Sequence, residues 1–371
     1  MAGGGTGGHV FPAIYIAQYL KKNWGAHCRF IGTKQGIENL KVSQAGFMVK
    51  HIWISGLKRG FYLSNLLFPI KIIVSFWQSR NEIKQFKPDL VIGTGGYVSG
   101  PVLYQAVKMR IPTAIQEQNS YPGITTRILA AKVDRVFLAY AEALNHIKNI
   151  KKYILVGNPI RENIVSADKE EAWRYFVLDK RLPTILIFGG SQGARNINQT
   201  MDKIFTHYTL ENVQIIWQTG KLDFEHYKEK YKNDHNHKLH ILPFIDRMDL
   251  AYAVADFAIC RAGAMTISEL AATALPAILI PLPHAAANHQ FKNAQAIANA
   301  GGAVLLEDKV GNEETLQIII KDLLNSRNQL HDMSQKIKNF HRPDATSLIA
   351  GELEKLLQEK SGKEQQTVKM I

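Results

Sequence analysis

Three glycine-rich stretches stand out: Gly3-Gly4-Gly5-Thr6-Gly7-Gly8-His9, Gly93-Thr94-Gly95-Gly96-Tyr97-Val98-Ser99-Gly100 and Gly189-Gly190-Ser191-Gln192-Gly193-Ala194-Arg195. Glycine in such a turn lets backbone N–H groups close on a phosphate at the positive end of a helix. One such turn is equally explained by a tight strand-to-helix connection, but three in one chain favour phosphate handling. The first also satisfies G-x-G-x-x-G, a dinucleotide fingerprint, yet the acid that would hold that cofactor's ribose is absent from Phe30-Ile31-Gly32-Thr33. A fourth stretch, Cys260-Arg261-Ala262-Gly263-Ala264-Met265-Thr266-Ile267-Ser268-Glu269, reads as a strand end, a small-residue turn and a helix start. A diphosphate could rest on that helix N-terminus while Glu269, one turn in, reaches a pair of sugar hydroxyls. Thr266-x-x-Glu269 is equally a capping box, in which Glu269 bonds only the cap backbone.

These turns need strands and helices to carry them. Short apolar runs alternate with amphipathic stretches throughout, the pattern of parallel sheets wrapped by helices. Strands are expected at 28–31, 90–92, 113–115, 135–138 and 154–156, and again at 184–188, 214–217, 239–242, 257–259 and 277–280. The simplest account is an α/β chain with two doubly wound parallel-sheet domains, 1–157 and 158–344, joined at Gly157-Asn158-Pro159. A C-terminal helix and polar tail would fill 345–371. Only Met1 and Ala2 precede the first loop, so either the start lies upstream or the sheet lacks its usual first strand.

The 371 residues fit two domains of about 150 residues each. A hydrophobic share of 46% and a charged share of 21% describe a folded chain, and Cys28 and Cys260 alone make no disulfide framework. Met1 leads into glycines without the basic and apolar regions of a signal peptide. The most apolar stretches, 65–77 and 270–283, are interrupted by Pro69 and Lys71 and by Pro276, Pro281 and Pro283. Neither reaches the ~20 apolar residues of a membrane span, so the chain is expected to stay in the cytosol. Of the net charge of +13, +12 lies in the first 150 residues, where 18 Lys and Arg face 6 Asp and Glu. A field so concentrated fits an anionic partner, with a solvated basic surface as the plain alternative.

Together with Gln116-Glu117-Gln118-Asn119, Gly157-Asn158-Pro159-Ile160-Arg161 and the Arg261–Glu269 stretch, the glycine loops resemble the MurG family, in order from Ala2 to about Asp344. That family adds N-acetylglucosamine to lipid I in peptidoglycan synthesis. The resemblance implies a GT-B fold, two Rossmann-like domains facing across a cleft, with the acceptor on the first and UDP-N-acetylglucosamine mainly on the second. Carried over motif by motif, Ser191 and its loop would hold the diphosphate with Arg161 near it. The Phe244-Ile245 backbone would read uracil, Glu269 would bind ribose, and Ala264, Met265, Thr266, Ile267 and Ser268 would line the diphosphate and sugar. Gln290 and Asn119 would contact the transferred sugar, joined by Thr6, Gly7 and Gly8 on closure. Gly95, Gly96, Tyr97 and Ser99 would serve the acceptor side. Two departures stand out: Ala287 replaces an expected acid, and Gln116 stands where a His is common, weakening an acceptor-side hydrogen bond.

Inverting transfer of this kind needs a base for the acceptor C4 hydroxyl. His9 is the first candidate, because an imidazole changes charge near neutral pH and the positive end of a helix favours its neutral form. Without the resemblance, a histidine after glycines reads as a packing or capping residue. Glu117 is the second candidate base. The chain has no Asp-x-Asp pair, so no metal or other cofactor is expected, and a helix N-terminus with Arg161 would neutralise the departing UDP.

Leu66, Ile70, Ile73, Val74 and Trp77 fall at helical spacing, framed by Lys58, Arg59, Lys71, Arg80 and Lys84. Such a stripe either packs into the domain core or dips into anionic headgroups. With the lipid-linked acceptor that the resemblance implies, the expected location is the cytoplasmic face of the bacterial inner membrane, as a peripheral protein. Expected partners are lipid I, anionic lipid and other cell-wall synthesis proteins. The alternatives are a diacylglycerol glycosyltransferase, which the acceptor motifs fit less well, and an NAD-dependent oxidoreductase, which lacks its ribose acid. A nucleic-acid binder is disfavoured, since no recognised module or zinc spacing occurs.

Overall fold

Apolar runs and amphipathic helices alternate in the computed structural model to build two parallel sheets, each in its own compact unit: Met1–Ile160 with Arg342–Ile371, and Arg161–His341. The structure describes residues 1–56, 66–150, 152–190, 193–208, 210–234, 238–283, 285 and 288–361.

The first unit runs β1 (Ala2–Gly3), α1 (Gly7–Trp24), β2 (Arg29–Gly32), α2 (Ile37–Gln44), β3 (Met48–His51), α3 (Phe68–Phe86), β4 (Val91–Gly95), α4 (Gly96–Lys108), β5 (Thr113–Glu117), α5 (Ile124–Leu129), β6 (Arg135–Leu138) and β7 (Tyr153–Leu155). Its seven strands are ordered β3-β2-β1-β4-β5-β6-β7, all parallel. The first strand is not lost. Two residues long, β1 still sits at the centre, pairing Ala2 with Ile31 on one side and with Gly93 on the other. The chain's last helix, Ala345–Ser361, packs Ile349, Ala350 and Leu353 against Ile16, Leu20, Phe137 and Val156 of this unit. Arg135 clamps it through both carboxylate oxygens of Glu359, at 2.5 and 2.6 Å.

The second unit runs α6 (Lys169–Tyr175), β8 (Thr184–Phe188), α7 (Arg195–His207), β9 (Gln214–Gln218), α8 (Phe224–Lys230), β10 (Lys238–Leu242), α9 (Met248–Val254), β11 (Phe257–Cys260), α10 (Ala264–Ala272), β12 (Ala277–Leu279), α11 (His289–Asn299), β13 (Ala303–Leu305), α12 (Glu313–Asn325) and α13 (Arg327–Lys338). Its strand order is β10-β9-β8-β11-β12-β13, again parallel. Every residue of β8, β9 and β11 is buried, as helices on both faces of a parallel sheet require. Ile187, Trp217, Phe257 and Ile278 of the strands meet Met201 and Phe205 of α7 and Leu316 and Ile320 of α12.

Strand order reverses between β1 and β4 in the first sheet and between β8 and β11 in the second. Ligands of doubly wound sheets bind at the carboxyl ends of strands flanking such a reversal. The loops after those four strands are the three glycine turns and the Gly263 turn, so the fold puts all four motifs where a ligand binds.

Candidate functional site

In the first unit the turn after β1 feeds α1 with no side-chain cap. Thr6, the residue before the helix, is extended and exposed, and its hydroxyl caps nothing. Gly7 is half-buried and Gly8 exposed, so the first helical N–H groups are presented to solvent. His9 follows, half-buried, with Nδ1 at 3.0 Å from both the Thr94 carbonyl and Gln118 Oε1. Gly95, at φ 102°, makes room for the ring, since a Cβ there would lie 2.6 Å from Nδ1. Gly96 accommodates the Gly4 carbonyl, which a Cβ would approach to 2.1 Å.

A buried acid that sequence reasoning missed holds this loop. Glu38, on α2, accepts from Thr33 N at 2.9 Å, Thr33 Oγ1 at 2.8 Å and Gly5 N at 3.2 Å. The available signal was its isolation: it is the first acid in the chain, and the next is Glu82. Tyr97 lies beside it, its hydroxyl pKa pushed up by burial and then by the Glu38 charge.

Several expected contacts prove structural. Glu117 is 2% exposed. Its Oε1 accepts from Asn119 N and Nδ2, and its Oε2 from Gly123 N and Thr126 Oγ1. Four donors shape the loop from Asn119 to Thr126, so Glu117 orders that loop rather than presenting a basic oxygen. Ser99 is fully buried and donates to the carbonyls of Ala2 and Gly95. It ties α4 to β1 and does not face an acceptor. Gln116 is likewise fully buried, donating to Asn158 Oδ1 at 3.0 Å. The expected acceptor-side bond at this position is therefore an internal one.

In the second unit, α10 begins after Gly263, which is extended and offers no side-chain cap. Counting from that cap, Thr266 is the third helical residue and Glu269 the sixth, so the capping box does not form. Glu269 Oε2 instead accepts from the Tyr252 hydroxyl of α9 at 3.0 Å. Burial raises the Glu269 pKa, against the opposing charge of Arg161 and the Tyr252 hydrogen bond. A carboxylate held this way offers its other oxygen to hydroxyl donors. Of the residues before it, Ile267 is 1% exposed and belongs to the core, and the Ser268 hydroxyl bonds the Ala264 carbonyl at 2.9 Å. Ala264 and Met265 are also buried, so their offering is the backbone N–H of the helix start, beside the half-buried Thr266.

Around this helix start, Ile245 N donates to Gln218 Oε1 at 3.0 Å while Gln218 Nε2 donates to the Gly190 carbonyl at 2.7 Å. Gln218 thereby joins the third glycine loop to the Ile245 segment. Gly193, at φ 80°, packs against the Thr219 carbonyl, 2.3 Å from where a Cβ would sit. Gln290, in the first turn of α11, accepts from Leu282 N at 2.9 Å and keeps its amide N–H groups for other partners. Arg261 is buried, paired with Asp308 at 2.7 Å and bonded to the carbonyls of Ile280 and Pro281. It staples the ends of β11 and β12 to the segment after β13. Ser191, Ala287, Lys58 and Arg59 lie outside the described residues.

On α3, Ser75, Ser79 and Ile83 face inward while Ile70, Ile73 and Trp77 are 51%, 70% and 65% exposed. The stripe therefore points to solvent, not into the core. Leu66 extends it, Val74 is half-buried at its flank, and Arg80 is exposed at its end. Lys71 Nζ bonds Ser55 Oγ at 2.9 Å and lies 5.8 Å from the Trp53 ring. Among the described residues, no helix is long and apolar enough to cross a membrane.

Residues 1–138 match the glycosyltransferase family 28 N-terminal domain and residues 184–349 the family 28 C-terminal domain. The UDP-N-acetylglucosamine–N-acetylmuramyl-(pentapeptide) pyrophosphoryl-undecaprenol N-acetylglucosamine transferase of Flavobacterium psychrophilum is 47% identical over 362 residues, covering 96% of this chain and 97% of its own length. The chain belongs to the MurG family. A relative of the same name from Christiangramia forsetii is 43% identical over 364 residues, covering 97% of this chain and 98% of its own length. The crystal structure of Acinetobacter baumannii MurG superposes with a TM-score of 0.74 at 30% identity, covering 96% of this chain and 98% of that one. A UDP-N-acetylglucosamine 2-epimerase, at 16% identity and a TM-score of 0.65, shares the fold. Membership in the MurG family makes this chain a GT-B glycosyltransferase rather than an oxidoreductase or a non-catalytic protein.

Proposed function

We propose that this chain transfers N-acetylglucosamine from UDP-N-acetylglucosamine to the C4 hydroxyl of N-acetylmuramyl-pentapeptide on undecaprenyl diphosphate, with inversion and without a metal. The observation that carries the chemistry is the His9 ring, held by two acceptors on Nδ1 at 3.0 Å. Its Nε2 takes the acceptor hydroxyl proton as that oxygen attacks the anomeric carbon. The new O–C bond forms as the bond to the UDP oxygen breaks on the opposite face. The departing diphosphate is neutralised by the backbone N–H groups at the start of α10, the third glycine loop and Arg161. Glu269 takes the ribose hydroxyls, the Ile245 carbonyl reads uracil, and Gln290 and Asn119 orient the transferred sugar. Thr6, Gly7 and Gly8 complete the sugar contacts.

The exposed stripe of α3 carries the location. Apolar and aromatic side chains framed by Lys71 and Arg80 suit a surface that dips among anionic headgroups, as a peripheral protein on the cytoplasmic face of the inner membrane would. A lipid-linked acceptor then reaches the first unit without leaving the bilayer.

The test is transfer of radiolabelled N-acetylglucosamine to a short-chain lipid I analogue, with and without chelator. Product is expected in both. His9→Ala should lower kcat by about 10²–10⁴, the range for a positioned general base, while donor KM changes little. An unchanged kcat removes His9 from this role, and activity lost in chelator and restored by divalent ion overturns the metal-free reading.

A further inference from the structure

We infer that Gln118 fixes His9 in the tautomer protonated on Nδ1 and so leaves Nε2 as the ring's bare, proton-accepting nitrogen. The inference deepens the base role proposed for His9 and rests on it for its catalytic meaning. Both groups facing Nδ1 at 3.0 Å are oxygens without a hydrogen to give, the Thr94 carbonyl and Gln118 Oε1. The carbonyl can only accept. Gln118 Oε1 is an acceptor because its amide cannot turn round: Nε2 is committed to the Thr94 carbonyl at 2.8 Å, the Gln116 carbonyl at 3.0 Å and Gln116 Oε1. Reversal would set an oxygen against three oxygens.

The neighbouring amides are pinned in the same way. Gln116 Nε2 donates to Asn158 Oδ1 at 3.0 Å, and Asn158 Nδ2 donates to the Gln118 carbonyl at 3.2 Å. With Gln116, Gln118 and Asn158 at 0%, 1% and 5% exposure, water does not compete for these groups. Backbone carbonyls anchor both ends, so the donors and acceptors along the chain have one consistent arrangement, and it ends on a hydrogen at His9 Nδ1. Gln118 touches no reacting atom in this scheme and acts through His9, which makes it a positioning residue.

The decisive reading is the ¹⁵N spectrum of the His9 imidazole in the resting full-length protein, assigned by subtracting the spectrum of His9→Asn. Nδ1 is expected to be protonated and Nε2 bare, a tautomer read on the parent protein itself. Gln118→Leu removes one of the two acceptors and should raise the Nε2-protonated population roughly fivefold, the worth of one neutral hydrogen bond. kcat should fall in proportion to the loss of the Nδ1-protonated fraction read in the same spectra, with donor KM unchanged. A resting ring protonated on Nε2, or a Gln118→Leu variant with an unaltered tautomer, overturns the inference. A fall in the Nδ1-protonated fraction that kcat does not follow leaves the lock standing and refutes instead the base role of His9.

Discussion

The Tyr252 hydroxyl donates to Glu269 Oε2 at 3.0 Å, joining two helices that start on either side of β11. This bond separates the two readings that the sequence of α10 leaves open. A capping glutamate spends its carboxylate on the backbone of its own helix. Glu269 receives a side chain from another helix and the field of Arg161, and its carboxylate remains a polar group near the start of α10, where the proposed function seats the diphosphate.

Tyr252→Phe should therefore weaken donor binding without disabling chemistry. A hydrogen bond to a charged group is worth roughly 1.5–3 kcal/mol, and only the part of it that strengthens in the donor complex enters KM, so the rise is bounded at about 10- to 150-fold. kcat at saturating donor should stay within a few-fold. Initial-rate kinetics with varied UDP-N-acetylglucosamine decide it, and a loss confined to kcat would refute the assignment.

Donor affinity should also depend on pH through Glu269, whose pKa burial raises. In the proposed donor site ribose hydroxyls would donate to the ionised carboxylate, so donor KM should rise as pH falls through that raised value. Stability moves the other way. The folded chain holds this proton more tightly than the unfolded one, so the ionised group costs stability above the raised pKa, and the cost is relieved as pH falls toward the ordinary carboxylate value. Glu269→Gln should abolish this acid-side rise in KM, measured as a KM–pH profile beside the parent enzyme.

How far the sequence exposed these relationships varies by element. The strand expected at 184–188 is β8 itself, because a fully buried run between breakers is distinctive. β3 and β13 were not foreseen: Met48–His51 lies on a half-buried sheet edge and Ala303–Leu305 is three residues long, so neither shows a period. Three of the four loops at the strand-order reversals are legible from glycine alone, and the fourth from its small-residue turn. Their internal wiring is not. Ser99 and Gln116 look like ligand donors in sequence, but their partners, Ala2 and Asn158, lie 97 and 42 residues away. Glu117 likewise has the right chemistry for a base, and only the folded loop reveals the four donors that occupy it.

Asp308→Ala should destabilise the second unit rather than alter substrate recognition. The Arg261–Asp308 pair is buried, with side chains 9% and 6% exposed, and removing one partner strands the other charge. Such losses cost about 3–5 kcal/mol. Urea unfolding should show the midpoint falling with little change in slope, and a shift under about 1 kcal/mol would mean that water or a neighbour compensates the guanidinium.

The α3 stripe gives the opposite pattern, an effect on location without one on stability. Period alone does not say which way such a stripe faces. The decisive residues lie on the other side, where Ser75 and Ser79 are small enough for α3 to pack close to the sheet unit. Ile73→Lys with Trp77→Lys changes side chains that are 70% and 65% exposed, so the unfolding midpoint should move little. Flotation with phosphatidylglycerol-containing vesicles should nevertheless fall at least tenfold, since two interfacial anchors become hydrated cations. Turnover of a short-chain, detergent-soluble acceptor should be retained while turnover of vesicle-embedded acceptor drops with binding. Loss of both activities would mean that α3 supports the active site itself, and undiminished flotation would show that the membrane surface lies elsewhere on the first unit.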